Sequence, residues 1–134
     1  MKVKDSSTIA EIKLLGYQVK FQPRKGRRGG GVCALYKKHI NLKKCNVTQY
    51  KTFEVMEAVI SNNNDLLRVS TFYRTGKMST EGRSNFINDL DDYLLSIVQK
   101  NGEKMLCGDF NIHVQNANDI DTKALFSVTE SYGF

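Results

Sequence analysis

Asp109, Asn111 and His113 stand at alternate positions in the run Met105-Leu106-Cys107-Gly108-Asp109-Phe110-Asn111-Ile112-His113. On an extended chain, side chains two residues apart point the same way. A carboxylate, an amide and an imidazole would then face one site. Such a trio can bind a hard cation, take a proton from water or hold a phosphate. The same letters also make a good turn, because Gly, Asp and Asn all favour turn geometry.

The elements that must position this group are legible in outline. Lys104 to Cys107 reads as a strand that delivers Asp109 to a sheet edge. Ahead of it, Phe86, Ile87, Leu90, Tyr93, Leu94, Ile97 and Val98 recur at helical spacing. They predict an amphipathic helix over about 81–100, stopped by Asn101-Gly102. Asp89, Asp91 and Asp92 splay around its polar side and read as a solvated face. Phe53 to Ile60 and Leu66 to Tyr73 predict an antiparallel hairpin around the turn-rich Ser61 to Asp65.

Nearer the N-terminus, Thr8 and Glu11 form a capping box for a short helix closed by Gly16. Tyr17 to Phe21 alternates as a half-buried strand does, and Pro23 to Arg28 is a basic turn. Gly29-Gly30-Gly31 fails the spacing of a phosphate-cradling loop and leads into a strand. Gly31 to Tyr36 reads as that strand, buried and apolar on both faces. Asn41 to Lys51 and Asn116 to Asp121 read as polar loops. A last helix is predicted over about 122–132, with Leu125, Phe126 and Thr129 inward.

The 134 residues amount to one ordinary domain or part of a larger one. There is no signal peptide and no apolar run of membrane-spanning length. Cys33, Cys45 and Cys107 are odd in number and form no CxxC pair. They read as buried free thiols in an intracellular protein, nuclear or cytoplasmic and not secreted. Charge is uneven. Residues 1–51 hold 13 Lys/Arg against 2 Asp/Glu, a balance of +11, and residues 52–134 hold 7 against 12, a balance of −5. The basic half contains Arg24, Lys25, Arg27 and Arg28, then Lys37, Lys38, Lys43 and Lys44. Taken singly, such clusters are solvated loops. Beside an acidic centre they suit a polyanion such as nucleic acid.

Several landmarks then line up in order: Gly16-Tyr17, Arg28-Gly29-Gly30-Gly31-Val32, Phe53-Glu54, Thr71-Phe72-Tyr73-Arg74, the helix with Phe86, and Cys107-Gly108-Asp109-Phe110-Asn111-Ile112-His113. In this order the chain resembles the endonuclease/exonuclease/phosphatase superfamily. It looks most like the apurinic/apyrimidinic-like endonuclease domain of LINE-type (non-LTR) retrotransposons. The resemblance implies an α+β fold, a partial four-layer α/β/β/α sandwich in which two packed, mainly antiparallel sheets are flanked by helices.

The same resemblance implies Mg²⁺- (or Mn²⁺-) dependent phosphodiester hydrolysis on DNA, with a reverse transcriptase domain in the parent polyprotein. It assigns Asp109 to orienting or deprotonating the attacking water, Asn111 to holding the same site and the scissile phosphate, and Tyr73 to contacting the phosphate through its hydroxyl. Asp109 and Asn111 would be the metal-side groups, and Arg74, Arg28 and His113 would bind substrate. The family's metal-binding Glu and its Ser-Asp-His stretch have no counterpart here. The resemblance therefore implies that residues 1–134 are the central part of such a domain, truncated at both ends and weak in catalysis. Two other readings stay open: a phosphatase of the same superfamily acting on inositol phosphates or lipids, and a non-catalytic nucleic-acid-binding or degenerate retroelement product.

Overall fold

The computed structural model describes residues 14–23, 31–74, 76 and 79–134. Their order is β1 (Tyr17–Pro23), β2 (Gly31–Lys37), β3 (Asn41–Gln49), β4 (Phe53–Asn62), β5 (Asp65–Arg74), α1 (Thr80–Val98), β6 (Glu103–Asp109) and α2 (Ile120–Ser131). β1 and β2 pair antiparallel as a two-stranded sheet, and β3-β4-β5-β6 form a four-stranded sheet. Within the latter, β5 and β6 are parallel, as the intervening helix requires, since parallel neighbours need a crossover. This is the mixed α+β arrangement expected, consistent with a partial sandwich.

Strand parity sorts the four-stranded sheet into two faces. Phe53 and Val55 of β4 and Phe72 of β5 meet Phe86, Leu90, Tyr93, Leu94 and Ile97 of α1, and Leu125 and Val128 of α2 join the same core. Phe53 and Phe72 pack against each other at 5.4 Å between ring centroids, and Phe72 meets Tyr93 edge-on at 5.2 Å. Such pairs add to area burial. On the other face, Met56 and Ala58 are buried, and β2, whose Val32 is buried, comes into contact with β4. The part of that face over β5 and β6 is more open, with Leu67 and Met105 exposed.

Local chemistry sets the boundaries. Ser79 caps α1 by accepting from the Gly82 amide at 3.0 Å, and Asp119 caps α2 by accepting from the Asp121 and Thr122 amides. Asn62 and Asp65 are paired, so β4 and β5 join through Asn63-Asn64 alone, with Asn63 at φ 51°. Asn tolerates that left-handed backbone.

Five expectations about the fold are corrected. Asn41–Gln49 is a strand and not a loop. β2 is apolar on both faces but not covered on both, since Leu35 and Cys33 are exposed. Cys45 and Cys107 are only partly buried. Asp89 is not purely solvated, because it accepts from the Thr52 amide at 3.1 Å and its hydroxyl at 2.8 Å. In α2, Phe126 faces outward and Val128 takes the inward place, with Thr122 fully buried. The expected helix beginning at Thr8 and the basic turn with Arg24, Lys25, Arg27 and Arg28 lie outside the described residues.

Candidate active site

The site forms where β5 and β6 end together. Their parallel register pairs Phe72 with Gly108 and Tyr73 with Asp109. Partners in a ladder share a face, so Tyr73 and Asp109 stand side by side on the face away from the helices. Gly108 makes this approach possible. Its φ is 139°, and a Cβ there would lie 2.1 Å from the Phe72 carbonyl oxygen. Only glycine fits such a contact.

Beyond Asp109 the chain turns. The Asn111 amide donates to Asp109 Oδ1 at 3.0 Å, an Asx turn that fixes the carboxylate. Asn111 itself has φ 49°. Its side-chain Nδ2 donates to the Arg74 carbonyl. That bond fixes the amide orientation, because a carbonyl needs a donor and not another oxygen. Asp109, Asn111, Ile112 and His113, with Gly76, line one open pocket of about 470 Å³. The sequence-level trio of Asp109, Asn111 and His113 is thus brought together, although by a turn after Asp109 and not by a continuing strand.

Arg74 is placed differently from its expected role. It lies on the helix face and is 3% exposed. Its Nε donates to the Phe110 carbonyl at 2.5 Å and its Nη2 to the Asn111 carbonyl at 2.7 Å. The guanidinium carbon sits 5.2 Å from the centre of the Phe86 ring. Burial draws its pKa below the usual value, while the carboxylates of Asp121 and Asp109 act against that. A guanidinium enclosed in this way does not reach the pocket, and its role as a phosphate ligand is corrected. Arg28, the other expected substrate-binding arginine, lies outside the described residues.

Of the two strand glutamates the sequence offers as a substitute acidic ligand, Glu54 and Glu57, one lies beside this group. The register runs Gln49 to Glu54, Glu54 to Tyr73 and Tyr73 to Asp109. Glu54 therefore shares a cross-strand row and a face with Tyr73 and Asp109, and it is 6% exposed. Glu57, three residues on, falls on the opposite face, where Arg68 Nη1 at 2.7 Å and Lys100 Nζ at 3.0 Å engage it. Burial alone would raise the Glu57 carboxyl, but the hydrogen bonds and charges of Lys100 and Arg68 outweigh it and hold it below the usual range. Strand parity within Phe53-Glu54-Val55-Met56-Glu57 is the signal that separates the two glutamates.

No family model matches the sequence, and no curated protein matches it. Solved structures do. The human nocturnin catalytic domain, solved with a bound sulfate anion, superposes with a TM-score of 0.62 at 18% identity, over 92% of this chain and 52% of that one. TDP2 from Caenorhabditis elegans gives 0.59 at 15% identity, over 87% and 37%. D. rerio TDP2, complexed with a single-strand DNA product, gives 0.58 at 13%, over 96% and 49%. The chain shares its fold with nocturnin and TDP2. These structural neighbours are members of the endonuclease/exonuclease/phosphatase superfamily. The chain spans about half the length of the nocturnin domain it matches. The LINE-type assignment is finer than this likeness reaches.

Proposed function

We propose that residues 1–134 belong to a metal-dependent phosphodiester hydrolase domain acting on DNA, of the kind carried by LINE-type retroelements beside a reverse transcriptase. The observation that carries this reading is the ladder pairing of Tyr73 with Asp109, and the pocket that Asp109 lines together with Asn111 and His113, on a fold shared with nocturnin and TDP2. The neighbour that holds a DNA product supports the substrate class.

In this reading the Asp109 carboxylate, fixed by the Asn111 amide, orients or deprotonates the attacking water. Asn111 holds the phosphate from the adjoining turn. The Tyr73 hydroxyl donates to a phosphate oxygen as charge develops there. His113, exposed at the pocket rim, adds a further donor.

The donor set tests the implied Mg²⁺. Among the described residues no three His, Cys, Asp or Glu side chains come together. The pocket offers the Asp109 carboxylate and the Asn111 amide. Mg²⁺ keeps several waters and binds through one or two carboxylates plus substrate phosphates. These residues fit an ion that arrives with a phosphate and do not fit one held by the protein alone. When bound, the ion would supply charge neutralisation at the phosphate.

Incubation with supercoiled plasmid, and separately with an inositol phosphate, in Mg²⁺ or in EDTA, tests the reading. Mg²⁺-dependent nicking of DNA is expected. Release of phosphate from the inositol compound without nicking would select the phosphatase, and DNA binding without either reaction would select the non-catalytic module.

A further inference from the structure

We propose that Arg74 is a positioning residue that sets the shape of the Asp109–Asn111 turn, and that it acts as half of a reciprocal clamp. The inference rests on the reading of Asp109 and Asn111 as the reacting turn. One half of the clamp is the Arg74 fork on the Phe110 and Asn111 carbonyls. The other half is Asn111 Nδ2 on the Arg74 carbonyl. Two residues 37 apart thus bind each other's main chain from opposite directions.

The clamp has a specific load. Asn111 is one of two non-glycine residues with positive φ among the described residues, and the other lies in the β4–β5 hairpin turn. A left-handed backbone outside glycine persists where surrounding contacts fix it. The Arg74 fork takes up the Phe110 and Asn111 carbonyls, one on each side of the Asn111 Cα, so the chain cannot relax there without breaking a charge-assisted bond. The same turn points the Asn111 amide at Asp109 Oδ1. The carboxylate is therefore oriented through Arg74.

The guanidinium is in turn anchored to the helices. It lies over Phe86 of α1, and its buried charge is favoured by Asp121 of α2 as well as by Asp109. Arg83 of α1 pairs with the same Asp121, which ties the two helices together at this end. Lysine cannot replace this arrangement, because a single ammonium neither forks across two carbonyls nor stacks flat on a ring.

NMR hydrogen exchange on the 134-residue chain tests the proposal without substrate. In Arg74→Lys, the Asn111 side-chain amide is expected to exchange at least about tenfold faster while the core amides of Tyr93 and Leu94 keep their protection. Unchanged Asn111 exchange in a folded Arg74→Lys overturns the proposal. Where Arg74→Lys fails to fold, Asn111→Ala decides. Faster exchange of the Arg74 Nε proton is expected, and an unchanged rate overturns the clamp. Where the wild type nicks DNA, Arg74→Lys lowers kcat and leaves KM within about twofold. A wild type without hydrolysis defeats the proposed function, while the exchange data still decide the clamp.

Discussion

Tyr73 of β5 and Asp109 of β6 are direct partners in a parallel ladder, the last such pair before both strands end. A phenol and a carboxylate from residues 36 apart in sequence therefore emerge on one face at one height. The pairing depends on Gly108, which lets the two backbones close beside Phe72.

Gly108→Ala is expected to destabilise the fold by at least about 2 kcal/mol, since the added methyl meets backbone atoms that cannot move aside. Urea denaturation of the variant and the wild type measures it. A loss within about 0.5 kcal/mol would mean that the strands separate readily at this pair.

Glu57 gives the pH dependence. Its folded carboxyl titrates below its unfolded value, so it contributes stability above the unfolded pKa, near 4.3. That contribution is lost as pH falls through the folded value. Denaturation followed from pH 7 to pH 3 is expected to show wild type and Glu57→Gln converging below about pH 4. A constant difference between them would show that Arg68 and Lys100 do not hold the ionised form.

The sequence yields much of this fold, and what it hides has identifiable physical causes. The long helix was readable because its seven apolar residues keep one period. β3 was not, because a register shift between Leu42 and Lys44 places the inward Leu42 and Cys45 three residues apart and breaks the two-residue alternation. Asp109, Asn111 and His113 were legible as a group from spacing alone. Arg74 was misread because an arginine at a strand end beside a phosphate-type motif looks the same whether it faces substrate or core. Only parity decides, and Arg74 falls on the Phe72 face. Glu54 and Glu57 are not told apart by the sequence as substitute ligands, because the link from Glu54 to Asp109 passes through two strand registers.

The exposed Lys37, Lys38, Lys43 and Lys44 give a salt prediction. DNA affinity is expected to fall steeply with salt, with a log–log slope of about −0.9 per phosphate neutralised on duplex. Replacing Lys43 and Lys44 by Gln reduces the slope. Binding titrations at several salt concentrations measure it, and a slope near zero would remove these lysines from the DNA surface.

The most direct measurement is plasmid nicking by the wild type and by Asp109→Ala, each in Mg²⁺ and in EDTA, with folding of both verified by denaturation. Asp109 is exposed and is not part of the apolar core. Slow nicking by the wild type in Mg²⁺ is expected, abolished by EDTA and by Asp109→Ala. Nicking at the same rate by folded Asp109→Ala would contradict the proposed function.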